Sequence, residues 1–299
     1  NSMNSKYFFN KYYNLSNIIS LVFFIVSIFF LIFKGLNYGV DFKGGTLIEL
    51  RTDNSNYKTE DIRNAFSKLN LNDLSVKKFG KENDYVVKFE RPDLNEPEFI
   101  KSLKVDLDKY LENYNFRRVE NVGPKVSAEL LQDGVTAIAI ALAAMLIYIW
   151  FRFEWQFSIG AIIAIFHDVT ITLGIFSALS LEINLSIVAA VLTIVGYSMN
   201  DTVVIFDRVR ENLKKYADIK IFDLTNLSIN ETLSRTLITS ITTLLALLSI
   251  FFFGGEILKG FSFAMILGVI LGTYSSIFIA NPILVYFRVS QKTLVKDED

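Results

Sequence analysis

Six long apolar runs dominate the pattern of hydrophobic and polar positions along the chain. Each run is almost free of charged residues and can cross a hydrocarbon core about 30 Å thick at about 1.5 Å per helical residue. A backbone in lipid must pair its own polar groups, so we predict that all six runs are transmembrane helices. They cover residues 15–34, 131–151, 157–180, 185–206, 234–254 and 260–287.

A polar segment, residues 35–130, separates the first apolar run from the second. Alternating apolar positions in it predict strands, and a 3.6-residue period predicts helices, one of them with Thr59 as its N-cap. The predicted order is β-α-β-β-α-β, the split βαβ or ferredoxin-like pattern. The strands are expected at 46–51, 74–79, 85–89 and 116–122, and the helices at 59–69 and from about Pro97. The predicted fold is a polytopic α-helical membrane protein with six transmembrane helices and an inserted α+β ferredoxin-like domain.

Composition supports this fold and narrows the chemistry. Hydrophobic residues make up 52% of the chain and charged residues 20%, which argues against an ordinary soluble enzyme. Between Leu36 and Lys125 the chain carries 16 basic and 16 acidic residues, so this segment offers no basic patch for nucleic acid. With no cysteine and one histidine, disulfides, thiol chemistry and cysteine or histidine-cluster metal sites are excluded. No catalytic constellation is present, so we predict neither an enzyme nor a cofactor.

The basic residues of the short connections predict the orientation of the chain in the membrane. They are concentrated on the side that holds both termini, which places the predicted terminal segments 1–14 and 288–299 in the cytoplasm and segment 35–130 outside it. The first run lacks a small-residue cleavage site, so we expect an uncleaved anchor. The basic and then polar stretch 209–231 is expected to be a cytoplasmic loop that sets topology or forms an interfacial helix.

Five polar residues lie at membrane depth within the predicted helices: His167, Asp168, Asn200, Asp201 and Arg235. An ionisable group in lipid costs on the order of 2.5–3.5 kcal/mol at a helix centre and therefore suggests a function. The fourth and fifth helices run in opposite directions, so Asp201 and Arg235 are expected to meet at a similar depth. Low dielectric favours the neutral carboxyl group and a nearby cation favours the carboxylate, which predicts a protonation switch. The alternative is a static ion pair that fixes helix packing.

Hydroxyl groups near these residues are expected to carry a proton relay, namely those of Ser198, Thr202, Thr239, Thr242 and Thr243. Other charges near the helix ends are interpreted as ordinary boundary charges. These are Asp133, Glu154, Asp207 and Arg208.

Several motifs resemble those of the SecD/SecF family of protein-export membrane proteins, in the form found in its SecF branch. The first is Gly-Val-Asp-Phe-Lys-Gly-Gly-Thr after the first helix, and the longest surrounds Asn200-Asp201-Thr202. The matching segments are 39–46, 121–126, 167–168, 196–211 and 230–237. Met199 departs from the familiar pattern, in which a plain aliphatic residue is more usual.

The resemblance implies one six-helix half of an architecture similar to the resistance-nodulation-division superfamily. It implies a multi-pass protein of the bacterial inner membrane that uses the proton-motive force to assist preprotein translocation. Asp201 and Arg235 match positions that are essential in the family, and Asp168 and Asn200 also follow its motifs. Protons are then the coupling ion, and Asp201 is expected to face a partner chain as well as Arg235. The implied partners are SecD, the SecYEG translocon, YajC, the translocating preprotein and membrane lipids.

Two other functions are compatible with the residues. Half of a proton-coupled small-molecule or lipid transporter would also have six helices and intramembrane carboxylates. A purely structural subunit would use the same charges only to fix helix packing.

Overall fold

The computed structural model describes residues 6–53, 56–90 and 96–294. The chain divides into two compact units, a helical unit of residues 1–37 and 137–299 and an inserted unit of residues 38–136. Parts of the predicted terminal segments, residues 1–5 and 295–299, lie outside the described residues. The elements in chain order are α1 Tyr13–Phe33, β1 Asn37–Tyr38, α2 Val40–Lys43, β2 Gly45–Thr52, α3 Thr59–Ser67, β3 Ser75–Lys78, β4 Asp84–Phe89, α4 Glu96–Leu107, β5 Tyr114–Val122, α5 Pro124–Arg152, α6 Trp155–Ala178, β6 Glu182–Ile183, α7 Leu185–Lys215, α8 Ile221–Phe253, α9 Glu256–Ser275, α10 Asn281–Tyr286 and α11 Gln291–Leu294.

Among the described residues, six helices are long and apolar enough to cross a membrane, as the sequence predicts. They are Phe9–Phe33, Pro124–Arg152, Trp155–Ala178, Leu185–Lys215, Ile221–Phe253 and Glu256–Tyr286. The last of them contains a π-helical segment, Ser276–Ala280, between α9 and α10. At least half of the apolar stretch of α6, α7 and α9 is buried, whereas α1, α5 and α8 are buried by less than a fifth. The first three therefore form the centre of the helical unit.

Small residues allow the central helices to approach closely. A Cβ atom at Gly268 of α9 would clash with the side chain of Ile194 on α7. Without a hydrophobic driving force between helices in lipid, such close approach gains van der Waals contact that larger residues would prevent. The pair α7 and α9 is therefore positioned by a glycine, and the site described below lies along their contact.

The ends of α7 and α8 differ from the prediction. Helix α7 continues to Lys215 and α8 begins at Ile221, so the connection is residues 216–220, shorter than the loop expected over 209–231, where a helix was the alternative. The helices continue past the apolar runs because buried side chains still pack there, among them Val209, Leu213 and Leu224. Charge marks the boundary of the lipid phase but does not by itself end a helix.

In the described part of the inserted unit, a four-stranded antiparallel sheet packs with the helices α3 and α4. The strand order is β3-β4-β2-β5, and each neighbouring pair is antiparallel. From β2 to β5 the elements follow one another as strand, helix, strand, strand, helix, strand, which is the predicted order, and the short helix α2 precedes them. Sheet and helices share one core, built from Ile48, Leu50, Ile62, Phe66, Val76, Val87, Phe99, Leu103 and Leu107.

The start of α3 differs in detail from the prediction. Thr59 is the first residue of the helix, and Lys58 occupies the N-cap position. The Lys58 backbone N–H donates to the Asp61 carboxylate at 2.7 Å, so an acidic side chain inside the first turn takes the role expected of the threonine.

The backbone conformation at the start of β2 explains why two glycines, Gly44 and Gly45, occur there. Gly44 and Gly45 have φ of +80° and +122°, which side-chain-bearing residues rarely adopt. A Cβ atom at Gly45 would also stand 2.7 Å from the Phe89 carbonyl oxygen on β4. The first strand of the sheet can therefore pair closely only when it begins with glycine.

Candidate functional site

Asp168 of α6 is the centre of a hydrogen-bond network inside the helical unit. Its side chain is fully buried, with Oδ1 2.8 Å from His167 Nδ1. Its other oxygen, Oδ2, accepts from Ser198 Oγ at 2.7 Å and from Ser275 Oγ at 2.6 Å. Ser198 belongs to α7 and Ser275 to α9, so one carboxylate joins the three central helices. Three short hydrogen bonds supply the polar partners that a buried carboxylate needs.

His167 connects this network to α1. Its imidazole is 5% exposed and stacks on the Tyr274 ring, with centroids 6.1 Å apart and planes inclined by 25°. The Tyr274 hydroxyl donates to the Ser16 carbonyl oxygen at 2.8 Å and lies 2.7 Å from Ser20 Oγ. His167 Nε2 is buried and has no hydrogen-bond partner among the described residues.

Asp201 lies on α7 about one turn beyond Ser198. Its side chain is 3% exposed, and its Oδ2 has no hydrogen-bond partner in the described part of the chain. The Thr202 hydroxyl donates to the Ser198 carbonyl oxygen at 3.1 Å, so that hydroxyl is engaged within the helix. The chain's own helices cover the Asp201 carboxylate, which corrects the expectation that it faces a partner chain.

Asp201 and Arg235 lie at the same level of antiparallel helices. Asp201 is fourteen residues before Lys215, where α7 ends, and Arg235 is fourteen residues after Ile221, where α8 begins. No ion pair of 4.0 Å or less joins these two described residues, so the predicted pair is not in contact and their opposite charges face each other across a gap.

Arg235 and Asn200 lie on the outside of the helical unit. Both side chains are exposed, in contrast to Asp201 beside Asn200 in the sequence. Gly196, one turn before Asn200, is also exposed, and a Cβ atom there would meet nothing within 4 Å. An exposed amide at membrane depth is costly against lipid, so this face of α7 is the one that requires a polar neighbour.

Most of the expected relay hydroxyls do not reach an acidic group. Thr239, Thr242 and Thr243 each donate to a carbonyl oxygen of α8, the helix to which they belong. Ser198 is the exception, because its hydroxyl donates directly to Asp168. Of the five hydroxyls predicted, the structure therefore brings Ser198 to a carboxylate.

Charged residues of α5, α7 and the α5–α6 connection form a cluster of ion pairs. From the sequence, Glu154 and Asp207 were interpreted as ordinary boundary charges, so this cluster was not predicted. Arg152 lies 2.6 Å from Asp207, and Arg210 lies 3.1 Å from Glu154. Both guanidinium groups also lie over the Phe153 ring, at 4.8 and 5.5 Å from its centroid. The sequence spacing could have indicated this cluster, because Asp207 and Arg210 are three residues apart and therefore lie on the same face of α7.

The segment before α1 is held by amide side chains of α8, which the sequence did not suggest. Asn226 Oδ1 accepts from the Phe9 backbone N–H at 2.8 Å, and Asn230 Oδ1 accepts from that of Tyr7 at 2.9 Å. Both amide groups also donate to the Tyr7 carbonyl oxygen. Tyr7 and Phe9 are thereby held against the first three turns of α8.

The described residues contain no group of three or more histidine, cysteine, aspartate or glutamate side chains that could hold a metal ion. The chemistry of this site is therefore carried by carboxylates, an imidazole, hydroxyl groups and one guanidinium.

Two family profiles match the chain. Residues 102–290 match the profile described as protein export membrane protein SecD/SecF, C-terminal, and residues 29–55 match the SecD/SecF GG motif. The chain belongs to the SecD/SecF family of protein-export membrane proteins. The larger match contains Asp168, Asn200, Asp201 and Arg235, and the smaller one contains Gly44 and Gly45.

Similar proteins of this family carry one name. A protein translocase subunit SecF of Rickettsia bellii is 43% identical over 286 residues, which is 93% of this chain and 92% of that one. One of Cereibacter sphaeroides is 42% identical over 275 residues, 88% of this chain and 84% of the relative. Family membership gives the chain a SecDF-type role in protein translocation. The names give no support to the alternative of a small-molecule or lipid transporter half.

Solved structures agree with the family. The crystal structure of SecDF, a translocon-associated membrane protein from Thermus thermophilus, superposes with a TM-score of 0.86 at 34% identity. This chain is covered to 96% but spans only 39% of that longer chain. SecDF in its super-membrane-facing form gives a TM-score of 0.69 at 33% identity. The SecD/SecF fold is therefore shared, and this chain corresponds to one part of it.

Proposed function

We propose that this chain is the SecF-type subunit of a SecDF complex that uses the proton-motive force to assist preprotein translocation across the bacterial inner membrane. It is not an enzyme in this proposal, and it needs no cofactor other than the transported protons. The observation that carries the proposal is the Asp201 carboxyl group at the level of Arg235, whose buried Oδ2 has no hydrogen-bond partner among the described residues. A buried ionisable group in a transmembrane helix is a candidate for proton transfer.

The residues of this chain supply the elements of a switch. Ionised Asp201 is attracted to Arg235, and a proton on Asp201 removes that attraction. The balance between α7 and α8 then depends on proton occupancy, while Asp168 ties α7 to α6 and α9 through hydroxyl groups. Asn200 lies on the exposed side of α7, where a partner chain can complete the path. The proposed proton-coupling set is therefore Asp201, Arg235, Asp168 and Asn200.

The proposed partners follow from family and exposed surface. SecD would cover the face of α7 that carries Asn200, and the SecYEG translocon, YajC and a translocating preprotein would complete the assembly. The concentration of basic residues in the short connections supports cytoplasmic termini and an inserted unit on the opposite side of the membrane. Helix α1 and helix α5 lead directly into and out of that unit, so a shift in the bundle can pass to it along the chain.

The test uses vesicles that contain this chain with SecD and the translocon, with and without an imposed proton gradient. Asp201→Asn should retain assembly with SecD but lose the gradient-stimulated part of preprotein export. Asp133→Asn is the matched control, because that exposed carboxylate lies on the peripheral helix α5. Normal gradient stimulation in Asp201→Asn, with assembly intact, would disprove the proposal.

A further inference from the structure

We propose that His167 is a second proton-binding site of this chain, linked to Asp201 through Asp168 and Ser198. The role of that site in coupling rests on the proposed function, whereas proton binding itself does not. The motivating geometry is an imidazole with one nitrogen on a buried carboxylate and the other buried without a partner.

The hydrogen bonds assign the proton that His167 already holds. Two hydroxyl groups converge on Asp168 Oδ2 at 2.6 and 2.7 Å, which fits a carboxylate that accepts from both. Asp168 Oδ1 then accepts from His167 Nδ1–H at 2.8 Å. The proton therefore lies on Nδ1, and Nε2 keeps a free lone pair. A buried polar atom with no partner requires a reason, and a position for a transferred proton is one.

The surroundings define the charge of the site in its two states. Among the described residues, the titratable side chains in contact with the imidazole are Asp168 on its own helix and Tyr274 on α9. Helix α1 contributes the Ser20 hydroxyl and the Ser16 carbonyl oxygen, both of which lie beyond Tyr274. Among the described residues, no lysine or arginine forms an ion pair with Asp168. With Nε2 bare, the imidazole and carboxylate together carry one negative charge. One proton on Nε2 converts them into an ion pair without net charge, which is the less costly form for a pair buried together.

The same contacts give this proton a mechanical consequence. Ser198 of α7 donates to the carboxylate and lies one helical turn before Asp201. Ser275 of α9 also donates to it, and the π-helical segment Ser276–Ala280 begins directly after that residue. Such segments are often found at functional sites of helices. A proton on Nε2 strengthens the Nδ1–H bond to Oδ1 and draws carboxylate charge toward the imidazolium, so Oδ2 becomes a weaker acceptor for the hydroxyl groups of α7 and α9.

The experiment uses the fact that the chain contains a single histidine. Full-length chain labelled with ring-¹⁵N histidine, reconstituted in lipid vesicles, gives one imidazole whose two nitrogens are resolved by solid-state NMR. Between about pH 5 and about pH 9, we expect Nε2 to change from protonated to unprotonated while Nδ1 stays protonated. An Nε2 that remains unprotonated throughout, or a proton on Nε2 with a bare Nδ1, would overturn the proposal.

Two variants test whether protonation of His167 depends on its contact with Asp168 and not on the helical unit in general. Asp168→Asn removes the negative charge beside the imidazole, so Nε2 should take up its proton less readily than in the parent chain. Ser249→Ala should leave proton uptake unchanged, because among the described residues that hydroxyl bonds to the Leu245 carbonyl oxygen of its own helix α8. Unchanged proton uptake in Asp168→Asn would contradict the assigned contact.

The outcome is independent of the export assay. If His167 titrates as expected but export ignores the proton gradient, the proposed function fails and this site remains. If export depends on the gradient while Nε2 stays bare at every pH, this inference fails and the proposed function remains.

Discussion

Ser198 on α7 donates a 2.7 Å hydrogen bond to Asp168 on α6, one helical turn before Asp201. This bond is the direct polar link between the helix that carries Asp201 and the buried network around His167. Because Ser275 of α9 donates to the same oxygen, the link has a second support. The relationship places Asp168 and Asp201 on one connected framework, and the following predictions test its parts.

Replacing Ser198 with alanine should destabilise the helical unit by about 0.5–2 kcal/mol, because a buried carboxylate loses one of three donors. Thermal unfolding of the purified chain in detergent measures the effect. Ser249→Ala is the control, since its exposed hydroxyl bonds only within α8. If Ser198→Ala unfolds at the same temperature as the parent chain, the hydrogen bond does not contribute to stability.

Replacing Gly268 with alanine should cost about 1–3 kcal/mol, because the new methyl group would overlap Ile194 and push α7 away from α9. Gly196→Ala offers a matched control on α7, where a Cβ atom meets nothing within 4 Å. That control should be neutral or slightly stabilising, since alanine favours a helix by about 0.8–1.0 kcal/mol over glycine. Equal effects of the two substitutions on the unfolding temperature would contradict the packing described for α7 and α9.

Replacing Arg210 with glutamine should destabilise the chain by about 1–3 kcal/mol, because it leaves the mostly buried Glu154 carboxylate without its cation. Lys109→Gln is the control, because Lys109 and its partner Asp106 are 62% and 53% exposed and exposed pairs contribute about 0–1 kcal/mol. A double-mutant cycle with Glu154→Gln isolates the pair. A coupling energy indistinguishable from zero would show that the ion pair between Arg210 and Glu154 does not stabilise the chain.

The stability of the inserted unit should rise with pH in the alkaline range because of Lys88 on β4. Burial, reinforced by the charge of Lys77, lowers the pKa of Lys88 from 10.5 to about 8. Between these values the unfolded chain holds the proton and the folded unit does not, so folding gains free energy as pH increases from about 8 to 10.5.

Pulse proteolysis of the full chain at about pH 7.5 and about pH 10 measures this dependence. Lys88→Met should flatten it, whereas Lys78→Met, an exposed lysine on β3, should leave it in place. The same pH dependence in Lys88→Met and in the parent chain would rule out Lys88 as its source.

Replacing Asn200 with leucine should separate assembly from stability. The side chain is exposed in this chain, so its unfolding free energy should change by less than about 0.5 kcal/mol. Co-purification with SecD should fall, because the partner loses an amide at membrane depth. Thr136→Val, at an exposed position of α5, should affect neither property. A destabilised chain with undiminished co-purification would show that Asn200 acts inside this chain instead.

Much of the architecture follows from local patterns. The six spans are visible in the sequence because the transfer of about twenty apolar residues into lipid outweighs other local preferences. The strand and helix order of the inserted unit is likewise visible, because one buried face imposes a period on each element. Helix ends were less predictable, since residues such as Val209 and Leu213 extend α7 through tertiary packing that charge does not reveal.

The candidate site divides in the same way. The ionisable residues within the apolar runs could be identified from the sequence, because an aspartate or histidine among apolar residues is apparent without a structure. Their partners depend on tertiary structure: Asp168 bonds to Ser198 and Ser275, whereas Asp201 Oδ2 has no hydrogen-bond partner among the described residues. The physical reason is that membrane insertion depends on each residue's own transfer free energy. Hydrogen bonds between helices depend instead on how those helices rotate and approach, which residues far apart in the sequence set together.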